Sequence, residues 1–167
     1  SGSGNNGTLG STSGVDSADP KWATRANPPA GGSGALQFDG MNDYVFGGAS
    51  DPLGITGGSE MTIEAWIKPS VLSGIQVIVL ENGPFQLALN GTRMYSKIYT
   101  GTWADITSNT DLVVDNWYHV AMTYDGSNIK VYLNGKEDGS TPETGNLAGA
   151  GSLYIGAWSS GTVAPSD

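Results

Sequence analysis

The chain contains no cysteine. Disulfides, thiolate metal sites and cysteine nucleophiles are therefore excluded. The compartment stays undecided on this ground, because secretion permits disulfides without requiring them. Basic residues are also scarce: 7 Lys and Arg stand against 16 Asp and Glu, for a net charge of −9. With no basic stripe, binding to nucleic acid or to an anionic membrane surface is disfavoured. No apolar run approaches the length of a membrane span, and no signal peptide is visible, so a processed or excised chain is the expectation. No stretch of ten residues keeps the apolar period of about 3.6 that marks an amphipathic helix.

What the chain has instead is glycine, 26 residues in 167, with a hydrophobic content of 38%. That combination suits short strands joined by glycine turns in one domain with a proper core. The clearest stretch is Trp117 to Lys136. Trp117 to Tyr124 is aromatic and β-branched, Asp125 to Asn128 is turn chemistry, and Ile129, Val131 and Leu133 alternate with polar neighbours. Asn134-Gly135 then supplies the residues a type I′ hairpin turn needs at positive φ.

Residues 1–34, rich in Gly, Ser and Asn, read as a segment packed on the domain, held down at Leu9 and Trp22. Ala35 to Asp39 and Asp43 to Phe46 read as two strands joined by Gly40-Met41-Asn42. Glu60 to Lys68 is an amphipathic strand ended by Pro69. Ile75 to Leu80 is a nearly continuous apolar run, as expected for a strand covered on both faces. Asn82-Gly83-Pro84 and Asn90-Gly91 turn the chain through Phe85 to Leu89 into Arg93 to Tyr99. Trp103 to Ile106, Leu112 to Val114 and Leu153 to Trp158 complete the set, with a glycine-rich loop at 139–151 and an irregular tail at 159–167. About ten to twelve short strands at regular spacing predict an all-β, antiparallel two-sheet jelly-roll sandwich.

Chemistry is sparse. Glycoside hydrolysis needs two carboxylates about 5 to 9.5 Å apart, whereas Glu60 and Glu64 lie about 13 Å apart along one strand. His119 sits inside a strand with no nucleophile setting near it, which makes it a structural histidine. Catalytic residues are therefore not expected. Trp103, Trp158, Tyr95 and Tyr99 fall near predicted loops and are the candidates for stacking on a sugar ring, against the ordinary role of such rings as core or edge cover. Asn6-Gly7-Thr8 and Asn90-Gly91-Thr92 have the form of glycosylation acceptors.

Several runs occur in a characteristic order: Gly7-Thr8-Leu9, residues 35–40 with Asp43-Tyr44-Val45, residues 62–67, Trp117 to Ala121 with Tyr124-Asp125-Gly126, residues 132–135, and Leu153 to Gly156. In this the chain resembles the laminin-G-like domains of the concanavalin A-like lectin/glucanase superfamily, over roughly residues 5–158. The resemblance implies a jelly roll at 35–158. It also implies an extracellular or cell-surface recognition or adhesion module that binds glycan or extracellular protein, with Ca²⁺ near Asp39, Gly40 and Asp43. The bland alternative for that loop is Asx side chains bonding their own backbone. The jelly-roll glucanases carry a Glu-x-Asp-x-x-Glu strand that is absent here. Relatives also begin and end with strands that have no counterpart in this sequence, which implies a slot in one sheet. Residues 1–34 could fill it, the chain could be a fragment, or a companion chain could complete the sheet in a surface filament or pilus-like assembly.

Overall fold

A computed structural model describes residues 7–10, 15–17, 19–23 and 34–158. The expected irregular tail at 159–167 lies outside the described residues, as do much of the segment 1–34 and Asn6 of the first glycosylation sequence.

The described residues hold thirteen strands and no helix. Seven make one antiparallel sheet in the order β1 (Thr8–Leu9), β4 (Val45–Gly48), β13 (Leu153–Ile155), β6 (Ile75–Glu81), β7 (Phe85–Asn90), β8 (Arg93–Tyr99), β9 (Trp103–Thr107). Four make a second in the order β12 (Lys136–Pro142), β11 (Asn128–Leu133), β10 (Tyr118–Tyr124), β5 (Met61–Ile67). The sheets face each other across a core of alternating apolar residues: Phe85, Leu87, Leu89, Met94 and Ile98 from one side, Val120, Met122, Ile129 and Val131 from the other. All of these are almost fully buried, and each such side chain contributes about 1.5–3 kcal/mol relative to exposure. Period-2 alternation is what permits this arrangement, since each strand sends every second residue inward and keeps the others outside.

The central meander forms as expected. β10 pairs with β11 in five register steps, and Asn134 and Gly135 carry the positive φ values of 51° and 78° that the tight turn demands. The third strand of the meander runs further than expected, to Pro142, because a bulge at Val131/Tyr132 lets β12 stay in register past Gly139. A Cβ on Gly139 would press on Val131 and Ile106, so a glycine there serves close packing rather than a loop.

Three further expectations are corrected. Ala35–Gln37 (β3) does not pair with β4; it pairs with Lys21–Ala23 (β2) in a separate two-stranded sheet. The residues at 40–42 therefore join strands of two different sheets. Leu112 to Val114 is not a strand. Leu112 is buried and its N–H donates to the Thr92 carbonyl, while Val113 and Val114 are exposed and Asp115 takes a left-handed φ of 63°. Trp22 does not plug into the domain: its side chain stands 68% exposed on β2. Leu9, by contrast, is half-buried and pairs with Val45.

The sheets differ in how their outer faces are covered. On the β4–β13–β6 half of the large sheet, Tyr44, Val77, Leu80, Tyr154 and Ala157 form a second apolar cluster, with Phe46 and Trp158 against it. Ile75 to Glu81 is thus covered on both faces, as the nearly continuous apolar run from Ile75 to Leu80 predicts. β5 pairs only with β10 among the described residues, which leaves its other edge without a ladder.

Candidate binding site

The outer face of strands β7 to β9 is polar and aromatic, part-exposed on β8 and β9 and buried on β7. Inward residues alternate with outward ones. Gln86 and Ala88 of β7, Tyr95, Lys97 and Tyr99 of β8, and Trp103 and Asp105 of β9 share the outer side. The register places Gln86 opposite Lys97, Lys97 opposite Asp105, and Tyr99 opposite Trp103. The result is a shallow cleft lined by Gln86, Lys97, Trp103 and Trp158, with Glu81 and Asn82 at one end.

Two indoles frame it. The Lys97 ammonium lies 4.4 Å from the Trp103 ring centroid and 5.2 Å from that of Trp158. Both separations fall within cation–π range. Tyr99 packs on Trp103 at 5.2 Å and 51°, bracing the more exposed indole from behind. Trp158 arrives from the other direction. The chain leaves β13, turns at Gly156, where φ is 85° and a Cβ would fall on the Phe38 ring, and buries Ala157 in the second cluster. Asn82 then donates from Nδ2 to the Trp158 carbonyl at 3.2 Å. Trp103 is therefore positioned by β9 and Trp158 by the bend that follows β13, and Lys97 lies where the two meet.

Electrostatics sharpen the picture. Burial pushes the Lys97 ammonium below the ordinary lysine range, and the field of Asp105 works against that shift. Burial likewise pushes the Tyr95 phenol up, with Asp105 adding to it. Gln86 is buried, yet neither its Oε1 nor its Nε2 has a hydrogen-bond partner. A buried amide usually has at least one partner, so this group stands out.

The structure thus brings all four aromatic candidates, Trp103, Trp158, Tyr95 and Tyr99, to one face. Gln86 and Lys97 were not singled out in the sequence. The signal was available: Lys97 lies at period 2 between Tyr95 and Tyr99, and Gln86 is the one polar residue within the run Phe85 to Leu89.

The candidate calcium loop is built differently. Asp39 N–H donates to Asp43 Oδ2 at 2.8 Å, and Asp39 Oδ1 accepts from the N–H groups of Met41 at 2.8 Å and Asn42 at 3.4 Å. Gly40 sits at a φ of 77°, which closes the turn. Burial pushes the Asp43 carboxyl up, which disfavours the charged form a cation would want. Among the described residues no group of three or more His, Cys, Asp or Glu is placed to hold a metal ion. A Ca²⁺ ion takes roughly six to eight oxygens, of which the Asp39 and Asp43 carboxylates supply a minority.

His119 is tied into the fold on the outside of the small sheet. Its Nε2 lies 3.3 Å from Glu64 Oε2, its ring packs on Trp66 at 5.3 Å, and its N–H donates to Asn134 Oδ1.

With fold and site in view, comparison with known proteins gives the class. Residues 38–165 match the profile of the Concanavalin A-like lectin/glucanases superfamily, and the chain belongs to that family. No curated protein matches it. Among solved structures it is similar to the binding domain of Paraclostridial Mosquitocidal Protein 1, with 16% identity and a TM-score of 0.69 over 92% of this chain and 40% of that one. It is also similar to domain 4 of AbnA, a GH43 extracellular arabinanase from Geobacillus stearothermophilus solved with arabinotriose, at 18% identity and a TM-score of 0.65 over 95% and 77% of the two chains. The botulinum neurotoxin serotype G binding domain is a third, at 14% identity and a TM-score of 0.62 over 92% and 39%. The chain spans about two fifths of the toxin chains it matches. At these identities the likeness is one of fold. Among the described residues no helix is long and apolar enough to cross a membrane.

Proposed function

We propose that this chain is a non-enzymatic recognition module that works outside the cell and holds a glycan against the outer face of strands β7 to β9. The observation that carries this reading is the pair of indoles, Trp103 and Trp158, flanking Lys97 beside an unpartnered buried amide. Flat aromatic faces take the apolar face of a sugar ring, while a few convergent polar groups fix its orientation. The similar arabinanase domain was solved with arabinotriose, which supports a sugar as the ligand class.

The test is an immobilised-glycan screen followed by titration calorimetry. The wild type is expected to retain one or more oligosaccharides. Trp103→Ala, at a half-exposed position that the fold does not need, should weaken binding by about 30-fold or more, the scale of an aromatic hot spot. Undiminished binding by Trp103→Ala, or no glycan retained at all, would sink the reading.

A second reading is favoured by the free edge of β5. Ile63, Ala65 and Ile67 point into the core yet are only half-buried, whereas Val120 and Met122 opposite them are fully covered. An added strand from a companion chain would seal that side, as in a fibre subunit. Sedimentation over a wide concentration range checks this for self-assembly: the reading expects higher-order species that Ala65→Lys disperses, and a monomer throughout counts against it.

A further inference from the structure

We propose that the cleft selects glycans that carry a carboxylate, the shared chemistry of uronic and sialic acids, with Lys97 meeting the carboxylate and Gln86 bonding the neighbouring hydroxyls. This rests on the glycan-binding reading and adds the ligand class. The first support is the state of Lys97. Its ammonium is flanked by two indole rings, and among the described residues no carboxylate lies within ion-pairing distance of it; the ion pairs found join Arg93 to Asp111, Lys130 to Asp125 and His119 to Glu64. Asp105, its neighbour across the ladder, acts only through its field. A partly desolvated cation without a paired anion is an unfavourable arrangement that an incoming anion corrects.

The second support is Gln86. It faces the same side from the adjacent strand, lines the same cleft, and offers one acceptor and two donors, none of them used. An acceptor and donors beside a cation suit a sugar acid, which presents hydroxyl groups next to its carboxylate. A neutral sugar would use the amide and leave the ammonium uncompensated.

The net charge of −9 opposes an anionic ligand at long range. However, fields from exposed charges fade over a Debye length of about 8 Å in physiological salt. Contact with Lys97 happens inside that distance, where the nearby acids are Glu81, pushed up to about 7 by burial, and the exposed Asp105.

The experiment uses matched pairs of oligosaccharides in calorimetric titrations of the intact chain: a galacturonate oligomer against its galactose counterpart, and a sialylated lactose against lactose. At least one acid is expected to bind about tenfold more tightly than its neutral twin, and which pair shows the preference separates the two sources. The preference should shrink as salt is raised. Lys97→Met, which keeps an unbranched stem between the indoles, should abolish the preference, and Lys97→Arg should retain it, with near-ultraviolet circular dichroism confirming that both variants are folded. Equal affinity for acid and neutral twins would overturn the inference while leaving the glycan reading standing. An acid preference that survives Lys97→Met would overturn the assignment to Lys97. Failure of every sugar, acid and neutral alike, would remove the glycan reading and this inference with it.

Discussion

Replacing Glu81 with glutamine should make the protein more stable than the wild type at about pH 8, and leave it little changed at about pH 3, well below 4.5, where the parent side chain is protonated in both states. Glu81 ends β6 with its side chain fully buried, and neither Oε1 nor Oε2 meets a donor in good hydrogen-bond geometry. Burial first, and then the neighbouring Asp51 carboxyl, push it up from 4.5 to about 7. The two carboxyls lie close enough to share a proton without the alignment of a full hydrogen bond, and Glu81 is the one that keeps it. Asp51 goes the other way: although burial opposes this, Glu81 and the N–H groups of Ile55 and Thr56 hold it low.

The sign follows from linkage. Because the folded-state value is the higher one, the folded protein binds the proton more tightly, and stability is fully present below pH 4.5 and lost as pH rises to about 7. The loss is on the order of 2 kcal/mol after allowance for residual solvation. Glutamine mimics the protonated acid and can donate to Asp51 at every pH. Thermal melts across this range should therefore show a falling curve for the wild type and a flatter one for Glu81→Gln. Parallel curves would mean that Glu81 ionises normally.

The second large effect is expected from Gly151→Ala. A Cβ at Gly151 would fall on the Asn82 carbonyl oxygen. That contact is backbone on backbone, so no side chain can swing aside to relieve it. The surroundings are equally tight: Gly83 and Gly149 approach so closely that a Cβ on either would meet the other's main chain at 2.9 or 2.8 Å. Asn82 N–H also donates to the Ser152 carbonyl at 3.0 Å. Overpacking of this kind costs about 1–3 kcal/mol or more, which for a chain of this size lowers the melting temperature by roughly 3–10 °C. Because Asn82 also holds the Trp158 carbonyl, ligand affinity should fall along with stability. A melting temperature within about 1 °C of the wild type would show that the β6–β13 junction is looser than described.

Fold was more legible in the sequence than site, for a physical reason. Strand alternation and Asn-Gly turns are local signals, and they located β5, β7, β8, β10 and β11 to within a residue or two. What the sequence hid was pairing between distant strands. Residues 35–37 and 45–48 are neighbours in the chain, yet they join different sheets, because the choice is settled by long-range partners at 21–23 and 153–155. The aromatic candidates could be named singly. Their convergence depends on the β8–β9 register and on where Trp158 lands after Gly156, and neither is a property of a short window. Gln86 is the sharpest case: among apolar neighbours an amide reads as incidental until its missing partners are seen.

The one-sided cover of the large sheet separates two kinds of tolerance. Where the second apolar cluster clamps β4, β13 and β6 from both sides, nearly every side chain is answerable to packing. Where β8 and β9 lie half-open on the outside, the inward half of each strand carries most of that burden and the outward half can be rewritten residue by residue without unfolding the sandwich; β7 does not share this freedom, because its outward Gln86 and Ala88 are buried. A scaffold divided in this way can exchange one ligand for another by changing a handful of positions, from Tyr95 through Trp103, while its stability is kept by residues that never touch the ligand.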